Sequence, residues 1–342
     1  MLYRFRHWML KRAQFTVLLS ICATAWAQPT MAADLGVAII DNTTRIIGGD
    51  ESSSGQFPFI SALVRDGSGS LANRQFCGAS IINEKWLLTA AHCMYDGFGN
   101  RISNESFKAV VGIINLRTES PMEHVVTNYF IHPGYNNNSE DIANDIALIE
   151  LATTPSQATV SLFGDDAEAL AGYDATVVGW GATDYTDETN PVFPDELRHA
   201  VVPIISRGIC NAPVSYAGNI ADTQICAGLA QGGVDSCVGD SGGPLLIDIN
   251  GVTAQVGIVS YGNGCAEPLF YGVYTNVGKY VEWIRQYTSV SSVGTPRALE
   301  ANNGIGGNGG SAGQSTENNA SSSGAAWLLL WIMAGVCLRR RR

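Results

Sequence analysis

The sequence predicts an all-β fold assembled from short strands. Apolar stretches rich in Ile, Val, Leu and Phe alternate with turns containing Gly and Ser, at residues 56–65, 75–88, 107–114, 125–131 and 146–151. This part of the chain lacks the strong 3.6-residue periodicity of amphipathic helices. Many short strands with frequent turns are typical of β-barrels and β-sandwiches.

The charge distribution narrows the classes of function. The 342-residue chain has a net charge of −11, and residues 46–290 carry ten Lys or Arg against 27 Asp or Glu, a net of −17. Such an acidic body argues against nucleic-acid binding. It suits either a cationic substrate or simply a well-solvated surface.

The N-terminal segment has the features of a secretory signal peptide over residues 1–27. Basic residues precede an apolar run at residues 15–25, which is too short to span a bilayer comfortably. Ala25-Trp-Ala27 forms a small-x-small cleavage site, and cleavage after Ala32 or Ala33 is the alternative. The sequence therefore predicts an exported protein that is secreted or held at the cell surface.

Three motifs carry residues suited to nucleophilic chemistry. The stretch Asp235–Pro244 places the hydroxyl of Ser241 among glycines, which let a substrate carbonyl approach main-chain N–H groups. A serine nucleophile needs a base and an orienting acid. His92 and Asp145, the latter at the head of an apolar run, supply both. Taken singly, the motifs would equally suit a Gly-rich turn, a core histidine and an N-cap, but their joint occurrence favours catalysis.

The order His, Asp, Ser along the chain resembles the trypsin-like serine endopeptidases. The resemblance covers about residues 46–287, and we assign the protease domain to residues 46–290. It implies two six-stranded antiparallel β-barrels with the active site in the cleft between them. It also implies a short C-terminal helix at Tyr280–Tyr287.

The same resemblance implies a role for each residue of the site. His92 is the general base and then the general acid, Asp145 orients it, and Ser241 attacks the peptide carbonyl to form an acyl-enzyme. The N–H groups of Gly239 and Ser241 form the oxyanion hole.

Substrate choice is implied by a pocket with Asp235 at its base and Ser260, Gly262 and Gly272 in its walls. The glycines leave room for a long side chain, and a buried carboxylate favours a guanidinium or ammonium partner. The expected substrates are proteins or peptides with Arg or Lys before the scissile bond. The alternative is an aspartate paired internally.

Residues 28–45 resemble a pro-segment that ends at Arg45, before Ile46-Ile-Gly-Gly49. Cleavage after Arg45 by an activating protease would create an ammonium group on Ile46. In the family this group pairs with the aspartate before the nucleophile, here Asp240, and orders the oxyanion hole and pocket. The alternative is that Arg45 is an ordinary exposed loop residue.

Six of the eight cysteines lie in the protease domain. Six cysteines allow 15 pairings, and the sequence alone does not choose among them. The family pattern implies the bridges Cys77–Cys93, Cys210–Cys226 and Cys237–Cys265, which suit an oxidising compartment.

No metal site is expected. Calcium needs six or more oxygen ligands, and Ile113 stands where calcium-binding members of the family have a glutamate, although Glu119 and Glu123 remain nearby. The single cofactor candidate is a sodium ion, because Tyr271 stands where sodium-activated members have Tyr or Phe.

The C-terminal region changes composition abruptly. Residues 291–324 form a linker rich in Gly, Ser and Asn, and residues 325–342 combine a short apolar stretch with four terminal arginines. This arrangement resembles the bacterial GlyGly-type C-terminal sorting signal, which implies processing by a membrane protease after transient membrane attachment. A GPI signal and an uncleaved membrane anchor are the alternatives.

These observations together predict a secreted zymogen of a serine endopeptidase. The alternative from another class is a catalytically silent protease-fold module that binds a partner at a membrane. The complete set of His, Asp and Ser favours the enzyme.

Overall fold

A computed structural model describes residues 47–137, 142–187 and 189–294 of the chain. The signal peptide, the pro-segment with Arg45 and Ile46, and the C-terminal linker and tail lie outside the described residues. No helix within the described ranges is long and apolar enough to cross a membrane.

The described residues form short strands joined by turns, with few helical segments. The strands are β1 (Asp50–Glu51), β2 (Ile60–Arg65), β3 (Gln75–Asn83), β4 (Trp86–Thr89), β5 (Phe107–Val111), β6 (Glu123–Ile131), β7 (Ala147–Leu151), β8 (Ser161–Phe163), β9 (Asp174–Gly179), β10 (Arg198–Ile205), β11 (Gln224–Ala227), β12 (Pro244–Ile249), β13 (Val252–Tyr261), β14 (Gly272–Asn276) and β15 (Ser292–Val293). The α-helices are α1 (Leu71–Arg74), α2 (Arg207–Cys210) and α3 (Val281–Ile284), and 3₁₀ turns span His92–Met94, Asn104–Ser106, Ala167–Leu170 and Val277–Tyr280.

The first half of the fold is a closed barrel with strand order β2-β3-β4-β7-β6-β5. Every neighbouring pair in this barrel is antiparallel. Strand β2 is buried at every residue except its last. Burial on both faces explains the nearly continuous apolar run in its sequence.

The second half is also a six-stranded antiparallel barrel, with the order β9-β10-β11-β14-β13-β12, closed by pairing of β12 with β9. Strand β1 lies outside this ring of six strands and pairs with β10. Strand β8 runs parallel to both β13 and β15, so the only parallel pairs among the described strands lie at this added edge. The predicted architecture of two six-stranded barrels is confirmed.

Two predicted elements have narrower bounds in the structure. The apolar stretch 75–88 forms two strands, because the chain turns between Asn83 and Trp86, where the Asn83 side chain accepts a hydrogen bond from the Glu84 N–H at 2.7 Å. The predicted closing helix is present as α3 but covers only four residues. After α3 the chain makes a 3₁₀-type turn, since the Tyr287 N–H donates to the carbonyl three residues earlier, at Ile284.

The predicted disulfide pairing is confirmed for all six cysteines of the protease domain. The bridges join Cys77 to Cys93, Cys210 to Cys226 and Cys237 to Cys265. The first bridge ties the residue after His92 to β3, and the third ties the loop containing Ser241 to the segment after β13. Two bridges therefore anchor the chain beside predicted site residues.

Candidate active site

His92 and Asp145 meet at one edge of the first barrel. His92 opens the 3₁₀ turn that follows β4, and Asp145 lies two residues before β7, the strand paired with β4. The His92 Nδ1 atom lies 2.7 Å from Asp145 Oδ2, and the main-chain N–H of His92 donates to Asp145 Oδ1 at 2.8 Å. This double contact fixes the imidazole with Nδ1 toward the acid.

The second barrel completes the surroundings of Asp145. The hydroxyl of Ser260 donates to Asp145 Oδ2 at 2.6 Å, and the hydroxyl of Thr275 donates to the Asp145 carbonyl at 2.7 Å. Asp145 is fully buried, so these donors replace the water that an ionised carboxylate would otherwise require. Ser260 was predicted as a pocket wall; its contact with the acid is a role that sequence reasoning missed.

The pair is electrostatically coupled. Burial lowers the pKa of His92, but the charge of Asp145 and its hydrogen bond outweigh burial and raise that pKa above the ordinary value. Burial likewise raises the pKa of Asp145, and the opposing contributions of His92 and Ser260 leave it lowered. The acid therefore stays ionised at neutral pH and stabilises a protonated imidazole.

Asn144 holds the backbone that presents Asp145. Its φ of 58° lies in the left-handed region, where asparagine is tolerated better than most residues. Its side chain accepts from the Tyr280 hydroxyl at 3.0 Å and donates to the Gly134 carbonyl at 3.1 Å. A single asparagine has no sequence pattern that would indicate such a role, and sequence reasoning did not identify Asn144.

Ser241 lies in the loop before β12, against the first barrel. Its carbonyl accepts from the Gly78 N–H at 2.7 Å and lies 3.7 Å from the sulfur of Cys93, the residue after His92. Gly242 follows with φ of 79°, and a Cβ there would overlap the Thr89 hydroxyl. The glycine is therefore required both by its conformation and by the close approach of the two barrels.

Asp235 lies at a cavity of about 260 Å³ that also contacts Ser241. One carboxylate oxygen accepts from the Ala266 N–H at 3.1 Å, whereas Oδ1 has no well-aligned hydrogen-bond partner among the described residues. Burial raises the pKa of Asp235 to about 7. A buried carboxylate in the wall of a cavity, with one oxygen lacking a hydrogen-bond partner, is suited to a cationic ligand.

The walls of this cavity include the three predicted residues, Ser260, Gly262 and Gly272. A Cβ at Gly272 would lie 2.7 Å from Asp235 Oδ1, so a larger residue would cover the carboxylate. Tyr185, from the segment between β9 and β10, also lines the cavity and was not predicted. A second cavity of about 570 Å³ shares Tyr261 with the first.

Asp240 is buried directly behind Ser241. Its carboxylate accepts from the Gly181 N–H at 2.7 Å and from the Cys237 N–H at 2.9 Å. Burial raises its pKa to about 6. Ile47 lies beside Asp235, because its carbonyl accepts from the Asp235 N–H at 3.2 Å.

The carboxylates named above as possible calcium ligands, Glu119 and Glu123, make other contacts. Glu119 accepts from the N–H groups of Ile114 and Asn115 at 3.0 and 2.7 Å, and Glu123 pairs with Arg74. The side chains of Cys77, Cys93 and His92 lie close enough to bind a metal. The two cysteines form a disulfide, however, and offer no thiolate.

Two six-stranded barrels, a buried aspartate paired with a partly exposed histidine, and a glycine-flanked serine are the features of a serine endopeptidase family. The comparison with known families identifies which one: residues 46–284 match the family described as Trypsin, and the chain belongs to that family.

Three curated relatives illustrate how far the likeness extends. The chain is 36% identical to Trypsin-1 of Astacus astacus over 251 residues, which cover 70% of this chain and 98% of that protein. It is 33% identical to transmembrane protease serine 5 of Homo sapiens over 246 residues, 70% of this chain and 51% of that protein. It is 35% identical to Ovochymase of Halocynthia roretzi over 294 residues, 80% of this chain and 18% of that protein. The chain thus spans about half or less of the length of two of these relatives.

Proposed function

We propose that this protein hydrolyses peptide bonds after Arg or Lys residues of protein substrates. The observation that carries the proposal is Asp235, which lines the cavity beside Ser241 and whose buried Oδ1 atom has no well-aligned partner among the described residues. A guanidinium or ammonium group on the substrate would supply the missing donors and the compensating charge. Glycine at position 272 keeps the carboxylate accessible to a long side chain.

The reaction proposed for the site is acyl transfer. His92 Nε2 takes the proton of the Ser241 hydroxyl as the oxygen attacks the substrate carbonyl, and later returns a proton to the leaving amine. Asp145 keeps the proton of the neutral imidazole on Nδ1 and stabilises the charged form. The N–H groups of Gly239 and Ser241 hold the developing oxyanion, and water then hydrolyses the acyl-enzyme.

The specificity is tested with matched peptide substrates that differ only in the residue before the scissile bond. We expect hydrolysis of Arg and Lys substrates and little hydrolysis of Leu or Phe substrates. Asp235→Ser should remove the preference while leaving labelling of Ser241 by a fluorophosphonate intact. An Asp235→Ser protein that still prefers Arg and Lys would contradict the pocket assignment.

We further propose that the protein is made as a zymogen activated by cleavage after Arg45. Asp240 supports this proposal, because its fully buried carboxylate has main-chain N–H groups but no cationic side chain as a partner among the described residues. An ammonium group created on Ile46 would provide the charge that a buried carboxylate needs. The position of Ile47 beside Asp235 is consistent with that path.

Arg45→Gln tests the activation proposal, with the wild-type precursor treated by the same activating trypsin as the control. We expect the variant to remain an inactive precursor, whereas wild type gains activity as the new N-terminus appears. Equal activity of cut and uncut wild-type protein would contradict the zymogen proposal.

We also propose export, with the tail over residues 325–342 acting as a sorting signal cut by a membrane protease. The support is the sequence pattern itself, and the competing identities are a GPI signal and a retained anchor. Mass spectrometry of the mature C-terminal peptide distinguishes them. Cleavage between about Gly310 and Ala326 supports sorting, and a mature protein that retains Arg342 would contradict it.

The catalytically silent module is not favoured. The 2.7 Å contact of His92 with Asp145 and the cavity beside Ser241 support an enzyme instead.

A further inference from the structure

A side-chain amide from the first barrel reaches the loop that holds the nucleophile in the second. Gln75, the first residue of β3, donates from Nε2 to the carbonyl oxygen of Gly239 at 2.9 Å. The two residues are 164 positions apart in sequence. Gly239 carries one of the N–H groups to which we assign the oxyanion hole, so this contact bears directly on the proposed chemistry.

The peptides on both sides of Gly239 are held through their carbonyl groups. The Val238 carbonyl accepts from the Ala182 N–H at 2.8 Å, and the Gly239 carbonyl accepts from Gln75. A trans peptide directs its C=O and N–H to opposite sides. Fixing the Val238 carbonyl therefore aims the Gly239 N–H away from Ala182.

Gly239 is the residue in this loop whose backbone can change conformation most easily. Its φ of 100° is open mainly to glycine, and a glycine flanked by two peptides can change orientation at little steric cost. Rotation of the Val238–Gly239 peptide changes the φ of Gly239. The hydrogen bond from Gln75 holds the carbonyl of Gly239, on the other side of this residue, and so opposes that rotation. The amide therefore favours the orientation in which the Gly239 N–H points away from Ala182.

Gln75 is itself held on a rigid support. Its N–H donates to the carbonyl of Leu71, the first residue of α1, and its backbone pairs with Val64 in the barrel. The preceding residue, Arg74, is nearly buried, pairs with Glu123 and donates to the Arg65 carbonyl at 3.0 Å. An amide presented from such a support can fix the position of a glycine in the opposite barrel.

We propose that Gln75 is a positioning residue for the oxyanion hole: it holds the Gly239 peptide so that its N–H points at the developing oxyanion. This inference rests on the proposed function and adds a residue of the first barrel to it. Gln75 acts through Gly239 and does not touch the substrate. Its loss should weaken binding of the tetrahedral state and leave the cation pocket at Asp235 unchanged.

The test uses the activated protein with Gln75→Met, which keeps the length and removes the donor, and Gln75→Glu, which keeps the shape and replaces the donor by an acceptor. Gln56→Met, at an exposed glutamine, is the matched control. For each protein, kcat and KM are measured on an Arg substrate, together with inhibition by benzamidine and by a peptidyl argininal. Benzamidine occupies only the cation pocket, whereas the aldehyde forms an adduct with Ser241 that places an oxygen in the oxyanion hole.

We expect both Gln75 variants to lose about tenfold in kcat and in affinity for the aldehyde, between the effect of one ordinary hydrogen bond and the loss of a whole oxyanion donor. KM and benzamidine inhibition should stay within about twofold of wild type, as should every parameter of Gln56→Met. Unchanged aldehyde affinity, or equal weakening of aldehyde and benzamidine, would overturn the inference. A wild-type protein inactive on Arg and Lys substrates would instead overturn the proposed function, which separates the two failures.

Discussion

Replacement of Asp145 by asparagine should place the proton of His92 on the wrong nitrogen. In the structure, Asp145 Oδ1 faces the main-chain N–H of His92, and Oδ2 faces His92 Nδ1 and the Ser260 hydroxyl. The main-chain N–H is always a donor, so the amide oxygen of Asn must occupy the Oδ1 position and its NH₂ group must face Nδ1. Since the hydroxyl of Ser260 can rotate to accept, this orientation is satisfied, and Nδ1 becomes an acceptor.

With the proton on Nε2, His92 cannot accept the hydroxyl proton of Ser241. We expect kcat to fall about 10⁴-fold, which corresponds to about 5.5 kcal/mol in the activation free energy. The substitution also removes the charge that raises the pKa of His92 against burial, so this pKa should fall. Steady-state assays on an Arg substrate measure the fall in kcat. A pH titration of the His92 ring by NMR measures the fall in its pKa.

Asp141→Asn is the matched control, because Asp141 lies four residues before Asp145 in the stretch Asp141-Ile-Ala-Asn-Asp145 and should be replaceable with a mild effect. An Asp145→Asn protein that keeps kcat within about tenfold of wild type, or whose His92 pKa does not fall, would refute this reasoning.

Three further outcomes are expected. Burial raises the pKa of Asp235 to about 7, so its carboxylate is mostly protonated at pH 5 and benzamidine should bind about 100-fold more weakly there than at pH 8. Calorimetry showing no pH dependence of benzamidine affinity would contradict an ionised Asp235 in the pocket. We propose sodium activation at Tyr271, so kcat/KM should be higher in sodium chloride than in choline chloride at equal ionic strength, and equal values would exclude it. Gly181→Ala would force a Cβ into the Asp240 carboxylate and should lower the free energy of unfolding by about 1–3 kcal/mol. Gly208→Ala, in open space, should be nearly neutral. Similar melting temperatures for the two variants would argue against the tight packing at Gly181.

Local patterns predicted much of the fold and the composition of the site. Strand-length apolar runs with frequent turns indicated an all-β protein, and the family resemblance selected two barrels and the disulfide pairing. The short motifs around Ser241, His92 and Asp145 were sufficient to choose the candidate site residues. The order of these motifs carried that inference, because each one alone has an ordinary structural explanation.

Contacts between distant segments could not be predicted in this way. Ser260 donates to an aspartate 115 residues earlier, and Gln75 reaches a glycine 164 residues later. Neither contact leaves a local signature, since a serine or glutamine in a strand is unremarkable until folding brings its partner near. The division of residues 75–88 into two strands was also not predicted, because the turn at Glu84 contains neither Gly nor Pro.

The central claim, a reactive serine beside a cation pocket, is tested most directly by covalent labelling. The activated protein is treated with a fluorophosphonate probe, with and without benzamidine, and the modified peptide is identified by mass spectrometry. The account predicts one adduct, on Ser241, that is suppressed by benzamidine and absent from Ser241→Ala. Absence of labelling at Ser241, or labelling that benzamidine does not suppress at pH 8, would contradict it.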